Sequence, residues 1–313
     1  GWDNVEELFA RVSLDPAMLQ YLNLAGSHKS HPNENYAREL LELFGVGRTG
    51  PGGVLNYTEN DIKESARAMT GWSLNFFQDG ADFTNAAWDS GTKTYLGQTG
   101  NWNLRDIIRI TLNSAASKRW IPTKVWGFFA HPISTGSSIV TDLANGYSNS
   151  EYNYSYAGYG ADLNMRNLLR AVFLHPEFHS TNSRTGLFRS PVEWSVAAFK
   201  YLQIPVTEVT IGPLKSLEQI PFRPPNVAGW PPNSFWITTA SFLNRGTLAA
   251  SAPLLGNTQA VDSASLGNRV AACAELLGVE AWSPTTASAL GNTVLNPKQM
   301  IATALMSPEF SLS

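Results

Sequence analysis

The chain has a single cysteine among its 313 residues, so no intrachain disulfide can form and cysteine usage assigns no redox compartment. Cys273 lies in Arg269-Val270-Ala271-Ala272-Cys273-Ala274-Glu275-Leu276-Leu277, an apolar run of helical pattern, and reads as a buried, inert thiol. Charge is scarce as well: Asp, Glu, Lys and Arg make up 15% of the chain, against roughly 25% in average soluble proteins. With a net charge of -3 and no long basic run, there is nothing to grip a phosphate backbone. Nucleic acids and anionic membrane surfaces are therefore not expected partners. No apolar run approaches the roughly 18 residues of a transmembrane helix. A Gly-x-Ser-x-Gly elbow, a phosphate loop, a dinucleotide fingerprint and a His-Glu-x-x-His run are all missing, which disfavours the common hydrolase and nucleotide chemistries. The chain opens on Gly1-Trp2 with neither a methionine nor a signal peptide, and a preceding piece is expected to have been removed.

A hydrophobic content of 43% supports a sizeable core. Apolar residues recur at helical spacing in most segments, predicting helices near 4–12, 104–116, 118–130, 162–174, 238–249 and 264–277. Thr58-Glu59-Asn60-Asp61 reads as a capped helix start, with Ile62, Ala66 and Met69 on one face and Gly71 as the stop. Ser190-Pro191-Val192-Glu193 is a capping box with proline at the first helical position, and Asn296-Pro297 opens a late helix in the same way. The expected architecture is mainly α, a multi-helix orthogonal bundle, with one small β-hairpin near 82–96 turning at Asp89-Ser90-Gly91. Residues 1–313 read as a single helical domain, with 255–265 as the place for any subdivision. Asn145 to Gly160 holds five tyrosines among Ser, Asn and Gly, too little aliphatic content for a core, and is expected to be a surface loop. Leu168-Leu169-Arg170-Ala171-Val172-Phe173-Leu174-His175-Pro176-Glu177-Phe178 resembles Ile301-Ala302-Thr303-Ala304-Leu305-Met306-Ser307-Pro308-Glu309-Phe310, two similar helix ends closed by a buried-looking phenylalanine.

The densest grouping of charge is His31-Pro32-Asn33-Glu34-Asn35-Tyr36-Ala37-Arg38-Glu39-Leu40-Leu41-Glu42-Leu43-Phe44-Gly45. Asn33 reads as its N-cap, Glu34 meets the positive end of the helix dipole, and Tyr36, Leu40, Leu43 and Phe44 form the apolar stripe up to Gly45 and Gly47. Glu34–Arg38 and Arg38–Glu42 are i,i+4 pairs of a solvated face. The sharper alternative packs Glu34, Arg38 and Glu39 against a second charged helix, through Glu64 and Arg67, to fix a cation or polar ligand or to do acid/base work.

These residues resemble the bacterial DUF1800 family, a domain of unknown function. The matching blocks are Pro32 to Phe44, Tyr57-Thr58-Glu59-Asn60-Asp61 through Arg67-Ala68-Met69-Thr70-Gly71-Trp72, and Asp89-Ser90-Gly91-Thr92-Lys93. Ser190 to Glu193 and Phe222-Arg223-Pro224-Pro225-Asn226-Val227-Ala228-Gly229-Trp230-Pro231 complete them, so the likeness spans most of the chain. The resemblance implies a mostly helical, exported protein with no established activity. Members carry a further helical portion upstream of the position of Gly1, and the Tyr-rich stretch looks like an insertion. If the upstream portion is lacking, apolar helix faces need another protein chain, or the cleaved upstream segment, to cover them.

Other groupings are weighed on their residues. Phe222 to Pro232 is stiffened by proline and reads as a strap packing Trp230 and pairing Arg223, or as a ligand-lining loop with Asn226 and Trp236. Trp72 is core or a stacking platform. His175 and His179 are separated by the helix-breaking Pro176, which argues against a metal pair. His28 and His31 precede the motif helix; His31 and Glu34 are the weak candidates for a divalent cation, without a clear third ligand. His131 before Pro132 reads as a helix end.

Two functions are expected, with export taken in both from the resemblance. One is an exported protein, periplasmic, cell-surface or extracellular, that acts by binding or self-assembly. The other is an exported enzyme acting on a polymer or small polar substrate, with Glu34, Glu39 and Asp89 as catalytic candidates and Arg38, Arg67, Trp72, Arg223, Asn226 and Trp230 as binding residues. An open cleft with a perturbed carboxylate favours the enzyme; a closed ion-pair network makes the motif scaffold.

Overall fold

The computed structural model describes residues 4–75, 77, 80–147, 163–208, 212–292 and 294–312. Its contacts separate two compact units, Gly1–Phe178 and His179–Ser313. The chain is mainly α with small β elements, as the periodicity predicts.

The first unit begins with α1 (Val5–Ser13) and α2 (Pro16–Tyr21), capped by Asn4 and Asp15. α3 (Asn35–Glu39) runs directly into a π-helix, Leu40–Gly45. α4 (Glu59–Ala68) has the expected Thr58/Asp61 capping box and ends before Gly71, whose φ of 93 only glycine tolerates easily. After the β region come α5 (Leu104–Asn113), α6 (Ser117–Phe129), α7 (Ser138–Tyr147) and α8 (Met165–Leu174). Each packs against the one before it. Val5, Leu40, Ile62, Ile107, Trp126 and Leu168 are sealed in this core. Asn145 to Tyr147 close α7, with Tyr147 fully buried; residues 148–162, the rest of the Tyr-rich stretch, lie outside the described residues.

The β region is a pair of two-stranded antiparallel ladders. β1 (Trp72–Asn75) pairs with β2 (Gly80–Phe83), and β3 (Lys93–Tyr95) with β4 (Gln98–Gly100). Segment 83–88 does not pair with 93–96, and Asp89-Ser90-Gly91 is not a hairpin turn. The tight turn of the second ladder is Leu96-Gly97, both at positive φ (45 and 78), the geometry that matches strand twist. The Asp89 carboxylate is instead shared between Arg67 and the Gly91 amide, which Oδ1 accepts at 2.9 Å.

The second unit contains α9 (Thr181–Arg184), α10 (Pro191–Tyr201), α11 (Thr239–Leu255), α12 (Gln259–Asp262), α13 (Arg269–Leu277), α14 (Pro284–Leu290), α15 (Pro297–Leu305) and α16 (Pro308–Ser311). The Ser190/Glu193 and Asn296/Gln299 capping boxes both form. The stretch 255–265 lies inside this unit, where Trp194, Leu248, Cys273, Leu277, Ile301 and Phe310 share one core. The two similar helix ends acquire a structural sense: Phe178 packs edge-on against buried Trp126 at 6.2 Å, and Phe310 does the same against buried Trp194 at 6.0 Å, each within its own unit.

Candidate functional site

The motif helix differs from its sequence reading in two ways. Asn33 caps only the Asn35 amide and the helix starts at Asn35, with Glu34 in the cap position and making no side-chain cap bond. The continuation is then a π-helix: Val46 N–H donates to Leu41 O at 3.1 Å and Gly47 N–H to the same oxygen at 2.9 Å. Leu40 and Leu41, at the start of this wider turn, are both fully inside, so the buried face is broader than the proposed stripe, which left Leu41 out. Glycine permits the turn, because a Cβ on Gly45 would stand 2.6 Å from both Leu40 O and the Thr111 methyl.

Arg38 does not pair with Glu42. It reaches Glu34 at 3.4 Å and closes a fork on Glu59 at 3.0 and 2.9 Å, at the start of α4. Bonding to Glu59 raises the Arg38 pKa and lowers that of Glu59. Glu42 instead accepts from the Tyr57 hydroxyl at 3.3 Å. Burial, reinforced by Glu42, pushes Tyr57 up to about 12. Glu39 lies half-buried beside them, its pKa raised by burial and then by Glu42. Glu64 and Arg67 do not bond Glu34, Arg38 or Glu39, as the sharper reading had proposed; they face the β region.

There, α4 reads the outer edge of β3 with a row of side chains spaced three apart. Asp61 Oδ1 accepts the Leu96 amide at 2.7 Å, Glu64 Oε2 accepts the Thr94 amide at 2.9 Å, and Arg67 Nη1 donates to Thr92 O at 3.3 Å. A row at i, i+3, i+6 lies along one helix face, and alternate strand residues point their backbone groups to one edge. The helix thereby occupies donors and acceptors that a neighbouring strand would otherwise take.

Arg67 is saturated. Nε and Nη2 hold Asp89 at 2.7 and 3.2 Å, and Nη1 holds Glu64 at 2.8 Å. The Asp89 carboxyl is kept below its usual range, chiefly by Arg67, while Arg67 is pushed further up by Asp89 and Glu64. Lys93, which sequence reasoning passed over, is fully buried beneath the turn; its ammonium donates to Asp89 O at 2.5 Å, Gly91 O at 2.9 Å and Asn101 Oδ1 at 3.4 Å. It also lies 5.0 Å from the Trp88 ring. Trp72, half-buried, stacks on Phe83 at 5.0 Å, and Phe83 meets Trp88 at 6.1 Å. The candidates Arg67 and Asp89 thus come together as one ion-pair cluster, Trp72 stands at the end of the Phe83–Trp88 ring series, and Glu34, Arg38 and Glu39 lie on a separate, half-buried strip. A general acid or base needs a group poised near neutrality, and Asp89 and Arg67 are both driven away from it. The physical work of this cluster is to hold a strand edge and a turn against a helix.

His28 and His31 are bridged by Ser30, whose hydroxyl lies 2.7 Å from His28 Nδ1 and 2.9 Å from His31 Nδ1, while Glu34 turns to Arg38. Among the described residues no group of three His, Cys, Asp or Glu is arranged to hold a metal. His131 and His175 flank Trp126 edge-on at 5.7 and 5.3 Å. Arg223 and Asn226, in the second unit, are exposed, and Asn226 Oδ1 accepts the Ala228 amide two residues on. Trp230 packs at 6.0 Å on Trp236.

A second missed residue is Arg245, 3% exposed and lining a pocket with Phe188, Trp236 and Phe242. A signal was present: Arg245 is the one charged residue between Thr239 and Leu255.

Residues 2–312 match the family described as "Protein of unknown function (DUF1800)". No curated protein and no solved structure shows significant similarity to the chain. A match over nearly the whole length means that the chain belongs to the DUF1800 family.

Proposed function

We propose that this chain is an exported protein, working at the cell surface or outside the cell, that acts by binding another protein chain. One observation carries the reading: an exposed ladder of aromatic rings on the first unit. Phe128 and Phe129 at the end of α6 are 73% and 40% exposed, and Phe173 at the end of α8 is 39% exposed, with Leu174 beside it at 65%. The rings meet edge to face, Phe128–Phe129 at 4.9 Å, Phe129–Phe173 at 5.1 Å and Phe173–Phe178 at 5.2 Å, and lead down to buried Trp126. Contiguous exposed aromatic surface is the kind that partners cover, and rings braced against a core lose little freedom on binding. Low charge and the closed Arg67–Asp89 cluster favour binding over catalysis in the motif region. Export is supported by the family resemblance.

Sedimentation velocity of the purified chain, alone and with the exported fraction of its source, tests the proposal. The expected result is a faster-sedimenting species that a Phe128→Ser, Phe129→Ser double variant abolishes without lowering Tm. A chain that stays monomeric in both, or a complex indifferent to the double variant, overturns it.

The enzyme reading retains one supporting observation, the raised carboxyl of Glu39 beside Glu42. Carbon-detected NMR titration decides whether Glu39 can serve as an acid: a carboxyl that ionises at the ordinary value of about 4.3 removes that support.

A further inference from the structure

We infer that the second unit binds a small apolar monocarboxylic acid, its carboxylate received by Arg245 and its body by the pocket that Arg245 lines. The pocket holds about 320 Å3, within the range of about 300–1,000 Å3 typical of small-molecule sites. Phe188, Trp236, Phe242, Met306 and Leu312 make its lining predominantly apolar. Ile237 and Phe242 are 64% and 60% exposed, so the rim offers apolar surface to an arriving ligand.

The guanidinium is nearly sealed, at 3% residue exposure. Nε donates to Ser241 Oγ at 3.3 Å and Nη2 to Arg189 O at 2.7 Å, while its plane lies 4.6 Å from the Phe188 ring and 5.7 Å from that of Trp194. Nη1 is buried and has no acceptor. Among the described residues no carboxylate pairs with Arg245. Glu193 acts on it only through space, and its Oε2 is occupied by the Ser190 amide at 2.7 Å. Arg189, the next guanidinium, is likewise without a carboxylate partner and donates to Phe310 O at 2.5 Å. Burial lowers Arg245 to about 10, which leaves it charged at neutral pH.

A buried charge is tolerated when it is paired and its donors are satisfied. Here one donor lacks an acceptor and the positive charge lacks a carboxylate, in a residue that borders walls that reward apolar contact. A carboxylate supplies the acceptor and the charge together, and a planar guanidinium suits it geometrically. The rest of the ligand has to be apolar, because the lining offers few other polar groups.

Isothermal titration of the full chain with sodium decanoate at neutral pH, below its micellar range, tests the inference. Saturable one-to-one binding is expected, with 1-decanol at least about tenfold weaker because it forgoes the charge-assisted bond, and with decyltrimethylammonium not bound. Arg245→Gln should abolish decanoate binding. Should that variant fail to fold, Ile237→Glu at the exposed rim places a like charge beside the ligand and is expected to weaken decanoate about tenfold at unchanged Tm. Decanol binding as tightly as decanoate, an Ile237→Glu variant that binds like the parent, or no decanoate binding at all overturns the inference. So does a peptide with an apolar C-terminal residue binding where decanoate does not. The aromatic ladder takes no part in this site, so the Phe128 and Phe129 variant should bind decanoate normally, and each proposal can fail without the other.

Discussion

Replacing Asp89 by Asn removes the anion from the Arg67 fork while keeping shape and volume. The amide oxygen can still accept the Gly91 N–H, which bonds Oδ1 at 2.9 Å, but the amide nitrogen then faces a donor. The 2.7 Å bond from Nε meets that nitrogen and is lost, while the 3.2 Å bond from Nη2, which shares Oδ1 with Gly91, persists only to a neutral oxygen. Bonds to charged groups contribute about 1.5–3 kcal/mol each when shielded, but exposed pairs contribute about 0–1 kcal/mol. The side chains here are 17% and 29% exposed, between those limits. A loss of about 2–3 kcal/mol in total follows, since Arg67 keeps Glu64. At about 2–4 °C per kcal/mol for a unit of this size, the transition of the first unit should fall by about 4–12 °C in calorimetry. The pH dependence carries the sharper sign. Asp89 has its folded pKa lowered, so its stabilisation is fully present above the unfolded value of about 3.9 and disappears as pH falls through the folded value. The gap between parent and Asp89→Asn should therefore be widest near neutrality and close in acid. Hydrogen exchange should quicken at the Thr94 amide, whose acceptor Glu64 is braced by Arg67. A gap below about 1 °C, or one that stays constant into strong acid, would refute the account of the cluster as a strand-edge lock.

Gly45→Ala, which in an ordinary helix would stabilise, should cost about 1–3 kcal/mol, because the new methyl meets Leu40 O and Thr111 at 2.6 Å; urea unfolding measures it. Trp126→Phe should be milder than Trp194→Phe by about 1 kcal/mol, since Trp194 Nε1 donates to Leu305 O at 3.0 Å whereas Trp126 Nε1 is buried without an acceptor. Comparing the two Tm losses checks this. Cys273, fully buried and with its thiol pushed up to about 12 by burial, should resist iodoacetamide at pH 8 in the native protein and react once denaturant is added, as read by intact mass.

Much of the local structure of both units is legible before folding is considered. Thr58 with Asp61, Ser190 with Glu193 and Asn296 with Gln299 announce helix starts because a cap and its reciprocal partner sit within four residues of one another. The π-helix is not legible, because Leu40 to Gly45 carry ordinary helical spacing and the groups that meet the wider turn are distant in sequence: Gly45 lies against the Thr111 methyl, and Leu43 O accepts from Trp120 Nε1 at 3.1 Å. The hairpin was placed in the right region with the wrong partners, since Asp89-Ser90-Gly91 has turn composition but its aspartate is claimed by a helix 22 residues away.

By itself, then, the sequence determined a mainly helical chain, its helix starts, its inert cysteine and its family, all of which depend on neighbours within a turn or two or on whole-chain composition. Tertiary structure alone decided the partners of the charges. Arg38 chose Glu59 over Glu42, Arg67 chose Asp89, Lys93 went wholly inside, and Arg245 was left with an unanswered donor beside an apolar pocket. The reason is that a helix face fixes which side chains point together, while desolvation and the reach of a guanidinium decide which distant group meets them.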